Sequence, residues 1–172
     1  KLRRLQGEPA ASPDAAAREA LRHALGSARE EAALLCEWAS LLPAAEALER
    51  LGRARSAAQA SGAAGTARSL AACELECLLE HDPVAAGGLA AALRDELPLG
   101  LHCISYPPQA WWAVARALRD QDPDAAEACR LEALQWVDAA VMPDDDPATR
   151  ETFLHGNPVN RAVLAGWAAV AA

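Results

Sequence analysis

Four groups of side chains in this sequence have types and spacings that could carry chemistry. Cys73 and Cys77 stand four residues apart, and His81 stands four further on. On a helix that spacing stacks two thiols and an imidazole on one face, a set suited to a soft metal. Structural zinc needs four ligands at recognisable spacing, and no CxxC pair supplies the rest. Cys also behaves as a small core hydrophobe, and Leu70 continues the same stripe, so a buried face with no metal is expected. His102-Cys103, with Tyr106 nearby, offers a nucleophile beside a base. Adjacent side chains rarely point at each other, however, and no orienting partner is evident. A loop packed on the helices is the expected role. Asp144-Asp145-Asp146 lacks the spaced ligands and the Gly of a calcium loop. Helix capping before Pro147 accounts for it better.

The fourth group is Trp111, Trp112, Arg116 and Arg119. Trp111 and Trp112 project about 100° apart on a helix. Trp111 shares a stripe with Val114, Ala115 and Leu118, which places it in a core. Trp112 lies on another side with Arg116 and Arg119. These three form the candidate binding surface, because Trp and Arg are favoured at interaction hot spots. The alternative is that Trp112 packs against a neighbouring hairpin while Arg side chains cover its edge. No nucleotide-binding glycine loop and no GxSxG elbow is present. Gly87-Gly88 falls inside an expected helix and reads as a close-packing site. No enzyme activity and no cofactor are expected.

The elements that must position these groups are helices. About a quarter of the 172 residues are Ala, with Leu next, while Val, Ile, Phe and Tyr are scarce. Ala and Leu lose little entropy in a helix, whereas strands favour β-branched and aromatic residues. Residues 1–13 read as a flexible lead-in punctuated by Gly7, Pro9 and Pro13, and 14–172 as a single helical domain. Asp14 caps an expected helix to about Leu25, and Ser27 with Glu30 begins a capping box for one to about Leu42. Pro43 opens a helix to about Ala60. After a turn with Gly62 and Gly65, Thr66 starts one ending near His81. Asp82-Pro83 opens a helix to about Leu97, and residues 98–108 form the longest irregular stretch. Helices are then expected from Pro108 to about Asp120 and from Pro123 to about Met142. Asp146-Pro147 starts a short one to His155, and Asn157-Pro158 starts the last.

Pro43, Pro83 and Pro123 lie forty residues apart, and each ends one helix and begins another. Trp38, Leu78 and Leu118 share a register before them, and Ala45, Ala85 and Ala125 share one after them. Leu35, Leu75 and Ala115 also align. Helix–turn–helix units at one period mark a helical repeat, in which each hairpin buries its apolar stripe on the next. The unit Trp111-x2-Val114-Ala115-x2-Leu118 resembles the first helix of a tetratricopeptide (TPR) unit. Glu127 stands where a small residue is usual, and the period exceeds the usual ~34. The resemblance implies an all-α, TPR-like array of antiparallel hairpins, an α-solenoid with a right-handed superhelix. Phe153-Leu154, Asn157-Pro158, Asn160-Arg161 and Leu164 resemble the last hairpin of helical regions in large bacterial signalling ATPases and transcriptional regulators. That resemblance implies sensing or protein contacts beside separate effector domains.

Composition bounds the partners. The net charge is −8. Residues 1–60 carry nine basic and eight acidic groups, and residues 61–172 carry seven basic and sixteen acidic. An acidic second half disfavours nucleic acid and anionic membranes. No apolar run reaches spanning length. One Lys against fifteen Arg, with so much Ala, points to a GC-rich bacterial genome. The first residue is not Met, so a piece of a longer protein is expected. Five Cys without CxxC pairing suit reduced thiols in a cytoplasm. The expected function is a non-catalytic protein-interaction or sensor module that binds another protein or peptide. The alternatives are a small-ligand-binding helical domain, or an enzyme using the 98–108 loop.

Overall fold

The computed structural model describes residues 28–102, 106–141 and 146–170. The lead-in, the helix expected from Asp14, the cap at Ser27, and Cys103, Asp144 and Asp145 lie outside the described residues. Among the described residues there are eight α-helices and no strand, so the fold class is all-α as the Ala/Leu composition requires. They are α1 (Ala28–Ala39), α2 (Ala44–Ala60), α3 (Ala64–His81), α4 (Pro83–Glu96), α5 (Pro107–Leu118), α6 (Pro123–Ala140), α7 (Pro147–Glu151) and α8 (Pro158–Ala165). Single turns of 3₁₀ helix follow α4 and α8, and a π-helical turn, Thr152–Gly156, follows α7.

Proline and its preceding residue set most of these boundaries. Pro83 and Pro123 occupy the first turns of α4 and α6, where a missing N–H costs nothing. Asp82 and Asp122 cap them with nearly identical backbone angles. Each carboxylate accepts a hydrogen bond from the amide three residues on, Ala85 at 3.0 Å and Ala125 at 3.1 Å. Asn157 repeats the device at α8, accepting from Val159 N at 2.9 Å. Asp146 does so at α7, accepting from Ala148 N at 3.0 Å and Thr149 N at 3.1 Å. Those bonds, led by the one from the Thr149 hydroxyl, hold the Asp146 carboxyl below its ordinary range. The acidic run therefore ends in a helix cap, as its position before Pro147 suggested.

From α1 to α6 successive helices pack as neighbours, and the odd-numbered helices α1, α3 and α5 also touch one another in turn. α1 touches α2 and α3; α3 touches α2, α4 and α5; α5 touches α4, α6 and α8. Burial repeats at the forty-residue register. Leu70, Ala71, Ala72 and Leu75 on α3 are buried, and so are Ala110, Trp111, Trp112 and Ala115 on α5. Ala86, Leu93 and Leu97 are buried, and so are Ala126, Ala133 and Val137. Two apolar clusters result. One joins α1, α2 and the start of α3 through Ala47, Leu51, Ala67 and Leu70. The other joins the rest of α3 to α4, α5, α6 and α8 through Leu75, Leu93, Trp111, Val114 and Val163. Gly87 is buried and takes the Gln121 side chain, 2.1 Å from where a Cβ would sit. Gly88 is exposed with nothing near it, so only the first glycine of the pair serves packing.

Because Asp82 and Asp122 each satisfy one amide at a helix start, Asp82→Ala and Asp122→Ala should each cost about 0.5–2 kcal/mol. The caps share no hydrogen-bond partner, so the double variant should show roughly the sum in urea unfolding.

Candidate functional site

A groove of about 440 Å³ opens where α1, α3 and α5 run side by side. Its volume falls within the range of ligand pockets, about 300–1,000 Å³. α3 supplies one continuous face of it: Ala72 and Cys73, then Glu76 and Cys77 one turn on, then Glu80 and His81. α1 and the turn after it supply Cys36, Glu37, Ala39, Ser40 and Leu42, and α5 supplies Gln109 and Ala110. The floor is concave because its buried side chains, Ala39, Ala72 and Ala110, are small. Above them stand carboxylates, thiols and an amide.

The polar groups are tied into this arrangement. Gln109 Nε2 donates to Glu76 Oε2 at 2.7 Å, which links α5 to α3. Desolvation pushes the half-buried Glu76 carboxyl above its ordinary range, and the neighbouring Glu80 adds to the rise. The Gln109 hydrogen bond and the positive charge of Arg116 oppose it without cancelling it. The Cys36 thiol sits over the Ser69 carbonyl at 3.9 Å, one turn before Cys73. The Cys73 thiol is pushed up, chiefly by its contact with the Cys36 side chain and by burial. Burial also raises Cys77, and the fields of Glu76, Glu80 and Glu74 add to it. Cys129, in the other core, is pushed up to about 11 by burial. Cys73, Cys77 and Cys129 are therefore protonated at neutral pH and are poor nucleophiles. Cys73, Cys77 and His81 do share a face, but among the described residues no three metal-ligating side chains converge.

The 98–108 loop is fastened at separate places. Arg68 donates to the Gly100 carbonyl at 2.8 Å and to the Leu99 carbonyl at 3.0 Å. Gly100 has φ +91°, which a residue with a side chain rarely adopts. His102 N donates to Ser69 Oγ at 3.0 Å, and the His102 carbonyl accepts from Arg29 Nε at 3.1 Å. The imidazole covers Gly65, with Nδ1 only 2.4 Å from where a Cβ would stand. Tyr106 instead donates its hydroxyl to Asn160, which is fully buried and donates to the Phe153 carbonyl at 2.8 Å. His102 is thus spent on α3 and Tyr106 on α8.

The surface expected around Trp112 needs correction. Trp111 is in the core as expected, but Trp112 is buried as well, at 6% exposure. Trp167, from the turn after α8, stacks on it with ring centroids 5.4 Å apart. The Arg119 guanidinium lies over the Trp167 ring, 5.4 Å from its centroid. Trp167 Nε1 donates to Glu127 Oε2 at 3.0 Å, and Arg130 forks onto both Glu127 oxygens at 2.9 and 2.6 Å. An exposed indole would leave its apolar area in water, and Trp167 removes that cost. Arg116 remains exposed, and its charge is felt at Glu76. Of the three expected residues, only Arg116 borders the groove electrostatically. The groove's own carboxylates, Glu76 and Glu80, lie outside the groups singled out by sequence, although they share the stripe of Cys73, Cys77 and His81.

Comparison with known proteins finds no matching family model, no matching curated protein and no matching solved structure. Among the described residues no helix is long and apolar enough to cross a membrane.

Two outcomes follow from this geometry. Trp112→Ala should cost about 3–5 kcal/mol in urea unfolding. Arg116→Ala, at an exposed site, should stay within about 0.5 kcal/mol of the parent. For Glu76, a folded-state pKa above the unfolded value means that the unfolded chain gives up its proton first as pH rises. Stability is therefore lost with rising pH from about pH 4, the unfolded carboxylate range, through the folded pKa. Glu76→Gln should thus raise the melting temperature at pH 7 and leave it nearly unchanged below pH 4. An equal effect at both pH values would contradict burial of an ionising carboxylate.

Proposed function

We propose that this chain is a non-catalytic protein-interaction module. In this reading α1–α2, α3–α4 and α5–α6 form a TPR-like array of antiparallel hairpins, and the groove across α1, α3 and α5 receives a segment of another protein. The observation that carries it is the groove itself. It is made by the first helix of each successive hairpin, the layer that lines the concave face in stacked helical repeats. Alternate-helix contacts, the recurring Asp-Pro starts of α4 and α6, and burial at the forty-residue register support the array. The groove combines a floor of small alanines with an about equal share of polar groups placed above it, which offers both apolar contact and polar recognition. His102 and Tyr106 are committed to packing, and burial raises the Cys73 and Cys77 thiols of the groove, which fits a binding role better than a nucleophilic one. The resemblance of the last hairpin to regions of bacterial signalling proteins fits a module within a larger cytoplasmic regulator.

Selection of random twelve-residue peptides displayed on phage tests this proposal. Ser40 is exposed and lines the groove, so Ser40→Trp should block it without disturbing either core. Enriched peptides should bind the parent and lose most of their affinity for Ser40→Trp. Peptides that bind both equally, or no enrichment at all, would refute the groove as the interaction site.

A further inference from the structure

Charge distinguishes among the segments that the groove could hold. Three of its lining side chains are Glu, one from α1 and two from α3, and none is Arg or Lys. Glu76 and Glu80 stand one helical turn apart on the same face. The field they make is felt by neighbouring groups: Glu76 raises Cys73, and Glu76 and Glu80 both raise Cys77. The direct partner of Glu76 is a neutral amide, Gln109. Among the described residues no cation lies within ion-pair distance of it, and Arg116 acts only from farther away. A half-buried carboxylate without a cation costs free energy in the free protein. An incoming cation would remove that cost, and an incoming carboxylate would add to it.

We propose that the occupant of the groove is a cationic segment of a partner protein, one that sets an Arg or Lys side chain against Glu76 and Glu80 while apolar neighbours rest on the alanine floor. This rests on the reading of the groove as an interaction site. A side-chain cation fits better than a bare metal ion, because no three ligating groups converge there among the described residues. A guanidinium offers donors in a fixed fork, which suits two carboxylates on one helix face. The floor of Ala39, Ala72 and Ala110 matches short apolar contacts on either side of that cation. An acidic segment or a nucleic acid would bring phosphate or carboxylate against three Glu side chains and is disfavoured.

The test uses the whole chain and three labelled twelve-residue peptides. They share one Ala/Leu background and carry Arg, Gln or Glu at two positions four apart. Fluorescence anisotropy gives affinity, and amide chemical shifts locate the site. The Arg peptide should bind most tightly, weaken with added salt, and shift amides in 36–44, 72–81 and 109–110. Glu76→Gln with Glu80→Gln should weaken it about fivefold or more, the loss expected for part-buried charge pairs. Arg116→Ala, which removes the nearest opposing charge and leaves the cores untouched, should tighten it. Equal binding of the Gln or Glu peptide at the groove overturns the cationic assignment and leaves the interaction reading standing. Weaker binding to Arg116→Ala, or Arg-peptide shifts outside the groove, also overturns it. No groove shift with any of the three peptides overturns both.

Discussion

α3 is enclosed by helices that precede it and helices that follow it, and the rest of the structure depends on that enclosure. Ala67 and Leu70 belong to the cluster shared with α1 and α2, while Ala71, Ala72 and Leu75 belong to the one shared with α4 and α5. α3 is the one described helix with buried residues in both clusters. A helix packed on so many sides needs small or apolar residues wherever a neighbour approaches it. α3 meets this with small residues: Gly65, Thr66, Ser69 and three alanines are buried along with Leu70 and Leu75. Even Ser69 is fully buried, with its hydroxyl donating back to the Gly65 carbonyl at 3.0 Å and accepting from His102 N. Each buried apolar side chain contributes on the order of 1–3 kcal/mol. The enclosure leaves α3 one free face, and that face lines the groove.

The forty-residue register explains why the groove is open there and closed farther along. Ala72 on α3 corresponds to Trp112 on α5. Where the residue is Ala, a concave floor remains. Where it is Trp, the space is filled, and Trp167 seals it from outside. The next position on that face changes from Cys36 to Glu76 to Arg116, so the side chain there goes from a thiol to an acid to a base along the chain. In that register Glu76 falls between the Cys36 and Arg116 positions, and it is half-buried in the groove. Burial raises its carboxyl there, and protein sites that hold a group at such a cost are often the sites of function.

Much of the fold was legible in the sequence because its boundaries are chemical. Asp82-Pro83, Asp122-Pro123, Asp146-Pro147 and Asn157-Pro158 each pair a side-chain acceptor with a residue that needs no donor, and each starts a helix. Helix ends were less sharp. α1 stops at Ala39 and α5 at Leu118, a few residues short of Leu42 and Asp120, since helix C-termini here carry no comparable signal. The site was legible only in part. Periodicity placed Trp112 on a face apart from Trp111, but not the cover of that face, because Trp167 lies fifty-five residues away in sequence. The α3 stripe of Cys73, Cys77 and His81 was visible as a face. That Glu76 and Glu80 line the same hollow depends on the approach of α1 and α5, a tertiary contact that no local pattern encodes.

If α3 joins the two cores into one unit, its backbone should open only when the whole fold opens. Native-state hydrogen exchange measures this directly. The amides of residues 70–75 should exchange with the largest opening free energy in the chain, equal to that of global unfolding. Protected amides in α2 and α5 should merge with them into one cooperative transition as denaturant rises. Separate transitions for the α1–α2 side and the α4–α6 side, with α3 following only one of them, would contradict the account.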